Sequence, residues 1–127
     1  MSPNLFVSID GNGIGKKIES YILANRFSDL NRFSRRVSAA VQELADRIIL
    51  LNGRVIMSGG DNLLGSIPDS SVADLLSAVK SINTPDTEFA VGLGPSACDS
   101  YLALKFAKAS NTLCIQHDAQ HGFFPRP

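Results

Sequence analysis

Two short apolar runs, Arg-Val-Ile-Met at 54–57 and Asn-Leu-Leu-Gly-Ser-Ile at 62–67, are separated only by Ser58-Gly59-Gly60-Asp61. A parallel pair of strands needs a crossover of about a dozen residues or more, so this link closes only as an antiparallel hairpin. Asp61 then sits at a hairpin tip, inside a Gly-Gly-Asp-Asn turn. The rest of the chain is ordered around that hairpin. Residues 4–10, β-rich and bounded by Pro3 and Gly11, read as a strand ending at Asp10. Ile14, Ile18 and Ile22 recur every four residues and predict a helix from near Gly13. Val37, Val41, Leu44, Ile48 and Leu51 form the stripe of a second helix, with Asn52-Gly53 as its stop. Asp69 or Ser70 caps a third helix whose buried face is Val72, Leu75, Leu76, Val79 and Ile82. Residues 88–94 read as a strand, 98–110 as a helix and 112–118 as a last strand, while 121–127 show no usable period. The order β, α, α, β-hairpin, α, β, α, β suits an α/β (α+β) chain: a mixed sheet with helices packed on it.

At 127 residues the expectation is one domain, 1–127, large enough for a real core. Twelve basic and twelve acidic residues cancel, so no long nucleic acid is expected to bind through bulk charge, and an anionic ligand needs a local cluster. The first ten residues reach an acidic group after only a few apolar ones, which reads as neither signal peptide nor membrane span. Cys98 and Cys114 lack metal-ligand spacing and are expected to be a buried pair of small apolar thiols in a reducing cytoplasm.

The stretch Val-Ser-Ile-Asp-Gly-Asn-Gly-Ile-Gly-Lys-Lys, 7–17, invites a phosphate or metal reading. A Walker loop ending at Gly15-Lys16 fails at Asp10 and Lys17, a dinucleotide fingerprint fails at Lys16, and an EF-hand fails at Ile14 and Tyr21. What survives is a strand-end aspartate, a slim backbone and a helix start, whose free N–H groups suit an anion. A plain turn and cap would use the same residues. Asp10 and Asp61 on neighbouring strands would also suit two-metal phosphoryl chemistry, in which two carboxylates bridge divalent cations roughly 3.5–4 Å apart. Lys105 and Lys108 lie three apart on one helix face, either solvated or free to reach a triphosphate, if Leu102, Phe106 and Ala109 supply the core side. Arg26, Arg32, Arg35 and Arg36 read as surface charge, or as contacts to a ligand or partner. His117 reads as a surface or capping residue.

Residues 6–19 (Phe-Val-Ser-Ile-Asp-Gly-Asn-Gly-Ile-Gly-Lys-Lys-Ile-Glu), Ser-Gly-Gly-Asp-Asn-Leu-Leu at 58–64 and the stretch from Val91 to Ser110 together resemble the palm of the GGDEF and CRISPR-polymerase superfamily of nucleotide cyclases and polymerases. Within it, the chain is similar to the minimal CRISPR polymerase group, over roughly residues 4–118. The resemblance implies a ferredoxin-like palm with a mixed, mostly antiparallel sheet. It implies that Asp10 and Asp61 are the catalytic, metal-binding carboxylates, and that the backbone of Gly11, Asn12, Gly13 and Ile14 lies along the nucleotide phosphates. Gly11 would join the metal set, Gly60 and Asn62 would border the nucleotide, and Lys105 and Lys108 would hold the triphosphate. It further implies Mg²⁺ or Mn²⁺ as a two-metal cofactor, ATP as substrate and a cyclic dinucleotide or short cyclic oligoadenylate as product, with pyrophosphate released. A homodimer and a separate effector protein in bacterial antiviral defence complete the expectation.

One position departs from the pattern. The hairpin's second aspartate is Asn62, which offers an oxygen ligand but no charge. Two readings follow: a cyclase in which Asp10 and Asp61 alone hold the ions, or a nucleotide-binding sensor that does not turn its ligand over.

Overall fold

The structure, a computed structural model, describes residues 3–127. Along these residues run β1 (Asn4–Gly11), α1 (Ile14–Leu23), α2 (Phe27–Leu50), β2 (Arg54–Gly59), β3 (Asn62–Pro68), α3 (Val72–Ile82), β4 (Phe89–Gly94), α4 (Ala97–Ala109), β5 (Cys114–Asp118) and β6 (Gly122–Pro125). The strands form one sheet in the order β2-β3-β1-β4-β5-β6, antiparallel except for the β4–β5 pair. The first four strands and their helices make two interleaved split βαβ units, the ferredoxin-like arrangement. The hairpin lies midway along the chain but at the edge of the sheet, with β2 as the edge strand.

Strand periodicity sorts side chains onto two faces. Leu5, Val7 and Ile9 of β1 point to one side, where Leu44 and Ile48 of α2 and Leu75, Leu76 and Val79 of α3 cover them in the main core. Ser8 and Asp10 point to the other side. There α4 packs through Ala103, Leu104 and Ala107 onto Ala90 and Ile115. α1 stands off the sheet and is held to α2 by Ile14, Phe33 and Val37.

Among the described residues, the non-glycine positions with left-handed φ are Asn25, Asn52 and Asn111, each just past a helix end. Asn52 (φ 64) lets its own N–H reach the Ile49 carbonyl at 3.1 Å and the Gly53 N–H reach the Ile48 carbonyl at 2.9 Å. That is the Schellman closure, so α2 stops where the Asn-Gly pair said it would. Asparagine tolerates this conformation better than other residues bearing a Cβ.

Several expectations are corrected. The inner face of α4 is Ser100, Ala103, Leu104 and Ala107, while Leu102 and Phe106 are exposed, as is Ala109. The cause lies in β4. A Cβ at Gly92 would overlap the Ser100 carbonyl and the Leu104 amide, so the bare glycine lets the α4 backbone lie directly on the sheet, where most of the contact residues are small. The residue at the N-cap of α3 is Ser71, not Asp69 or Ser70, and it makes no side-chain cap bond. Residues Asp69–Ser71 form a 3₁₀ turn ahead of it, and Asp69 instead meets Arg126 at 3.2 Å. Cys98 is exposed rather than buried, whereas burial of Cys114 pushes its thiol up to about 12. The tail, without period, adds β6 antiparallel to β5, turning at Gly122 with φ 66.

Candidate functional site

β1 and β3 are in register so that Asp10 sits opposite Asn62, which brings the end of β1 beside the hairpin tip. Gly60, at φ 57, takes the first turn position, a left-handed conformation that glycine adopts without a steric penalty. The Gly11 N–H then donates to the Asp61 carbonyl at 3.1 Å, tying tip to strand. The same N–H lies 3.0 Å from Asp10 Oδ1. A Cβ on Gly11 would overlap the Ile14 side chain and come within 3.3 Å of Asp61 Oδ2, so glycine leaves the space that lets the second carboxylate fold in.

The two carboxylates are near neighbours. Asp61 is held above the ordinary carboxylate value by partial burial first, then by a hydrogen bond and charge repulsion from Asp10. Its own backbone N–H and Lys108 oppose the rise without cancelling it. Lys108 reaches across from α4: its Nζ is 2.7 Å from Asp10 Oδ2 and 3.2 Å from the Gly11 carbonyl oxygen. Both partners of this ion pair are about 30% exposed, at 31% and 27%. Lys105 is placed differently, with its Nζ 5.2 Å from the centre of the Tyr101 ring.

A cleft of about 410 Å³ opens between α4 and the bare side of β1 and β3, lined by Ser8, Asp10, Asn62, Leu64, Tyr101, Lys105 and Lys108 among others. Ligand pockets of small molecules have volumes of this order. The sequence reading missed Tyr101, Leu64 and Met57, which form the apolar wall. Tyr101 had a signal: it lies four residues before Lys105 on the same helix stripe.

The remaining expected residues divide. Gly13 starts α1 with φ 67 and, like Gly15, has open space around it, and no side chain caps that helix. Its first turn carries Lys16 and Lys17 but no acidic group, so the exposed N–H groups remain suited to an anion. The Ile14 side chain is core, only 4% exposed, which leaves its backbone as its possible contribution. Asn12 turns away: its N–H donates to the Glu88 carbonyl at 2.7 Å, its Oδ1 is buried with no hydrogen-bond partner, and it lines a different cleft with Asn83, Glu88 and Asn111. Arg26 and Arg32 flank Asp29 on α2 at 2.8 and 3.5 Å, Arg35 and Arg36 are exposed, and none of the four lines the cleft at Asp10. His117 is a strand residue, with Nδ1 2.8 Å from Asp99 and its ring against Phe123.

Among the described residues no group of three or more His, Cys, Asp or Glu side chains is arranged to hold a metal. Asp10, Asp61 and the Gly11 carbonyl nevertheless offer hard oxygens of the kind Mg²⁺ or Mn²⁺ take, and an ammonium already rests on two of them. The set fits a cation whose remaining positions are filled by water and phosphate oxygens. No described helix is long and apolar enough to cross a membrane.

Comparison with solved structures gives a match to a diguanylate cyclase/phosphodiesterase from Caldicellulosiruptor saccharolyticus, with a TM-score of 0.58 over 90% of this chain and 75% of that one. The identity is 13%, so the likeness is one of fold: the GGDEF-type palm. No curated protein matches the chain. A family profile describing the minimal CRISPR polymerase domain matches residues 6–117, from the third residue of β1 to His117 in β5, and includes Asp10, the hairpin and both lysines. The chain belongs to the minimal CRISPR polymerase domain family.

Proposed function

We propose that this chain is a Mg²⁺- or Mn²⁺-dependent nucleotidyltransferase that joins ATP into a cyclic dinucleotide or short cyclic oligoadenylate and releases pyrophosphate. Membership of a polymerase-domain family supports a nucleotide cyclase-like or polymerase-like activity. The observation that carries the finer reading is the meeting of Asp10, Asp61 and Lys108 at the mouth of a cleft with an aromatic wall. Asp10, Asp61 and the Gly11 carbonyl would hold the metal, which when bound supplies positive charge to the phosphates and acidity to an attacking hydroxyl. Lys105 and Lys108 would bind the triphosphate, and the first turn of α1 would receive phosphate oxygens on its free N–H groups. Tyr101, Met57 and Leu64 would exclude water from one side of the nucleotide. A ribose hydroxyl of one nucleotide attacks the α-phosphorus of another. Its proton passes to Asp10 or solvent, the P–O bond to pyrophosphate breaks, and pyrophosphate leaves along the lysines.

A homodimer, each copy presenting a nucleotide to the other, belongs to the same reading. Tyr101, exposed at the cleft, and the exposed Leu102, Phe106 and Phe123 elsewhere on α4 and on β6 support it, being apolar surface open to a partner. We place the protein in the cytoplasm, as one palm-type cyclase unit, 1–127, whose product signals to a separate effector in antiviral defence. A second reading is a nucleotide sensor on the same palm, favoured by Asn62 and by the lack of a third acidic side chain at the site. Incubation with each ribonucleoside triphosphate and Mg²⁺ or Mn²⁺, resolved by mass spectrometry, separates the two. A cyclic adenylate product supports the cyclase. Intact triphosphates, with binding seen by calorimetry, would hand the site to the sensor.

A further inference from the structure

The lysine on Asp10 sits where a cation is wanted. Its Nζ is 2.7 Å from Asp10 Oδ2 and 3.2 Å from the Gly11 carbonyl oxygen, with Asp61 alongside. These are the oxygens that a hard divalent ion would take. Lys105, three residues earlier on the same helix, makes no such contact and rests over Tyr101. The half-buried setting of the Lys108–Asp10 pair also sets it apart from Lys17–Asp86, whose carboxylate is 61% exposed.

We propose that Lys108 is the resting occupant of the cation seat, so that a divalent ion binds only by displacing it, and an arriving triphosphate gives the displaced ammonium its new partner. The inference rests on the metal-dependent reading above and deepens it. Two cations cannot share the same two oxygens without strong repulsion. A metal ion arriving alone must therefore break the Lys108 contacts and leave an ammonium beside a dication. A nucleotide removes that penalty, because its phosphates take the lysine and bridge the metal. Metal and nucleotide thus favour each other's binding, and by linkage the coupling is reciprocal. A compact, rotatable ammonium on a flexible stem suits such an exchange better than a guanidinium fork.

The test is a Mn²⁺ titration of the nucleotide-free protein, with free ion followed by electron paramagnetic resonance, on wild type, Lys108→Met and Lys105→Met. Lys108→Gln serves as a second variant should the methionine disturb folding. The expected result is a gain in Mn²⁺ affinity of about tenfold or more for the Lys108 variants, against a much smaller gain for Lys105→Met, which reports only the loss of a nearby charge. Addition of Mg²⁺ and a non-hydrolysable ATP analogue to wild type should also shift the Lys108 ammonium resonance, marking its change of partner. Equal gains for Lys108→Met and Lys105→Met would overturn the proposal and leave the metal-dependent reading standing. Mn²⁺ bound by none of the proteins, with or without the analogue, would overturn both.

Discussion

The two faces of the sheet are built from different residues for different ends. The face under α2 and α3 is filled with large aliphatic side chains: Leu44, Ile48, Ile67, Leu75 and Leu93 are all fully buried. The face under α4 is mostly alanine, serine and glycine, with Ala90, Gly92, Ser100, Ala103 and Ala107 in close contact and Leu104 and Ile115 as its larger members. Such residues bury little apolar area each, so the first face supplies most of the hydrophobic stability and the second sets a distance. α4 lies close enough for Lys108 to reach Asp10, and it leaves β3 and β2 uncovered for the cleft. A fold can thus assign most of its apolar core to one side of a sheet and a candidate site to the other.

Substitutions that strike one face and spare the other sharpen this contrast. Leu44→Ala should cost about 2–5 kcal/mol of stability in chemical denaturation, with nucleotide affinity of the folded protein little changed. Gly92→Ala should cost about 1–3 kcal/mol through overpacking against backbone that cannot yield. Unlike the first change it should also weaken nucleotide binding, because it lifts the helix that bears both lysines. Unaltered binding in Gly92→Ala would break the claim that the small-residue face positions the site. Lys105→Ala should weaken ATP binding about tenfold, or about 1.4 kcal/mol by calorimetry, with little effect on stability.

The smallest effect concerns pH. The native pKa of Asp61 is raised above the ordinary 3.8. Its contribution to stability is therefore fully present below that value and lost as pH rises through the native pKa. Metal-free Asp61→Asn should accordingly melt a few degrees above wild type at neutral pH. The difference should vanish in acid, where the Asp61 carboxyl is protonated. A gain that persisted in acid would mean that Asp61 strains the hairpin by shape rather than by charge.

Much of the fold was legible because its signals are local. The four-residue hairpin link, the isoleucine period of α1 and the Asn-Gly stop of α2 each act within a few residues. Asp10 and Asp61 were legible for the same reason, as a strand-end and a hairpin-tip residue. The inner face of α4 was not, because size is a poor guide to burial where a glycine on a distant strand sets the spacing. Leu102 and Phe106 look like core until Gly92 is placed beneath their neighbours. β6 spans four residues, too short for a period to show, and is held by pairing to β5. The Lys108–Asp10 contact spans 98 positions, so only the packed sheet could reveal the lysine's resting partner.

The central claim, that the Asp10–Asp61 corner does chemistry and does not hold the fold together, is tested most directly by Asp61→Ala. Product formation from ATP with Mg²⁺ or Mn²⁺ and the melting temperature should be measured on the same preparation. The account predicts turnover lowered on the order of 10²–10³-fold or more, with a melting temperature equal to or above wild type. Cyclic product at the wild-type rate from Asp61→Ala would contradict it.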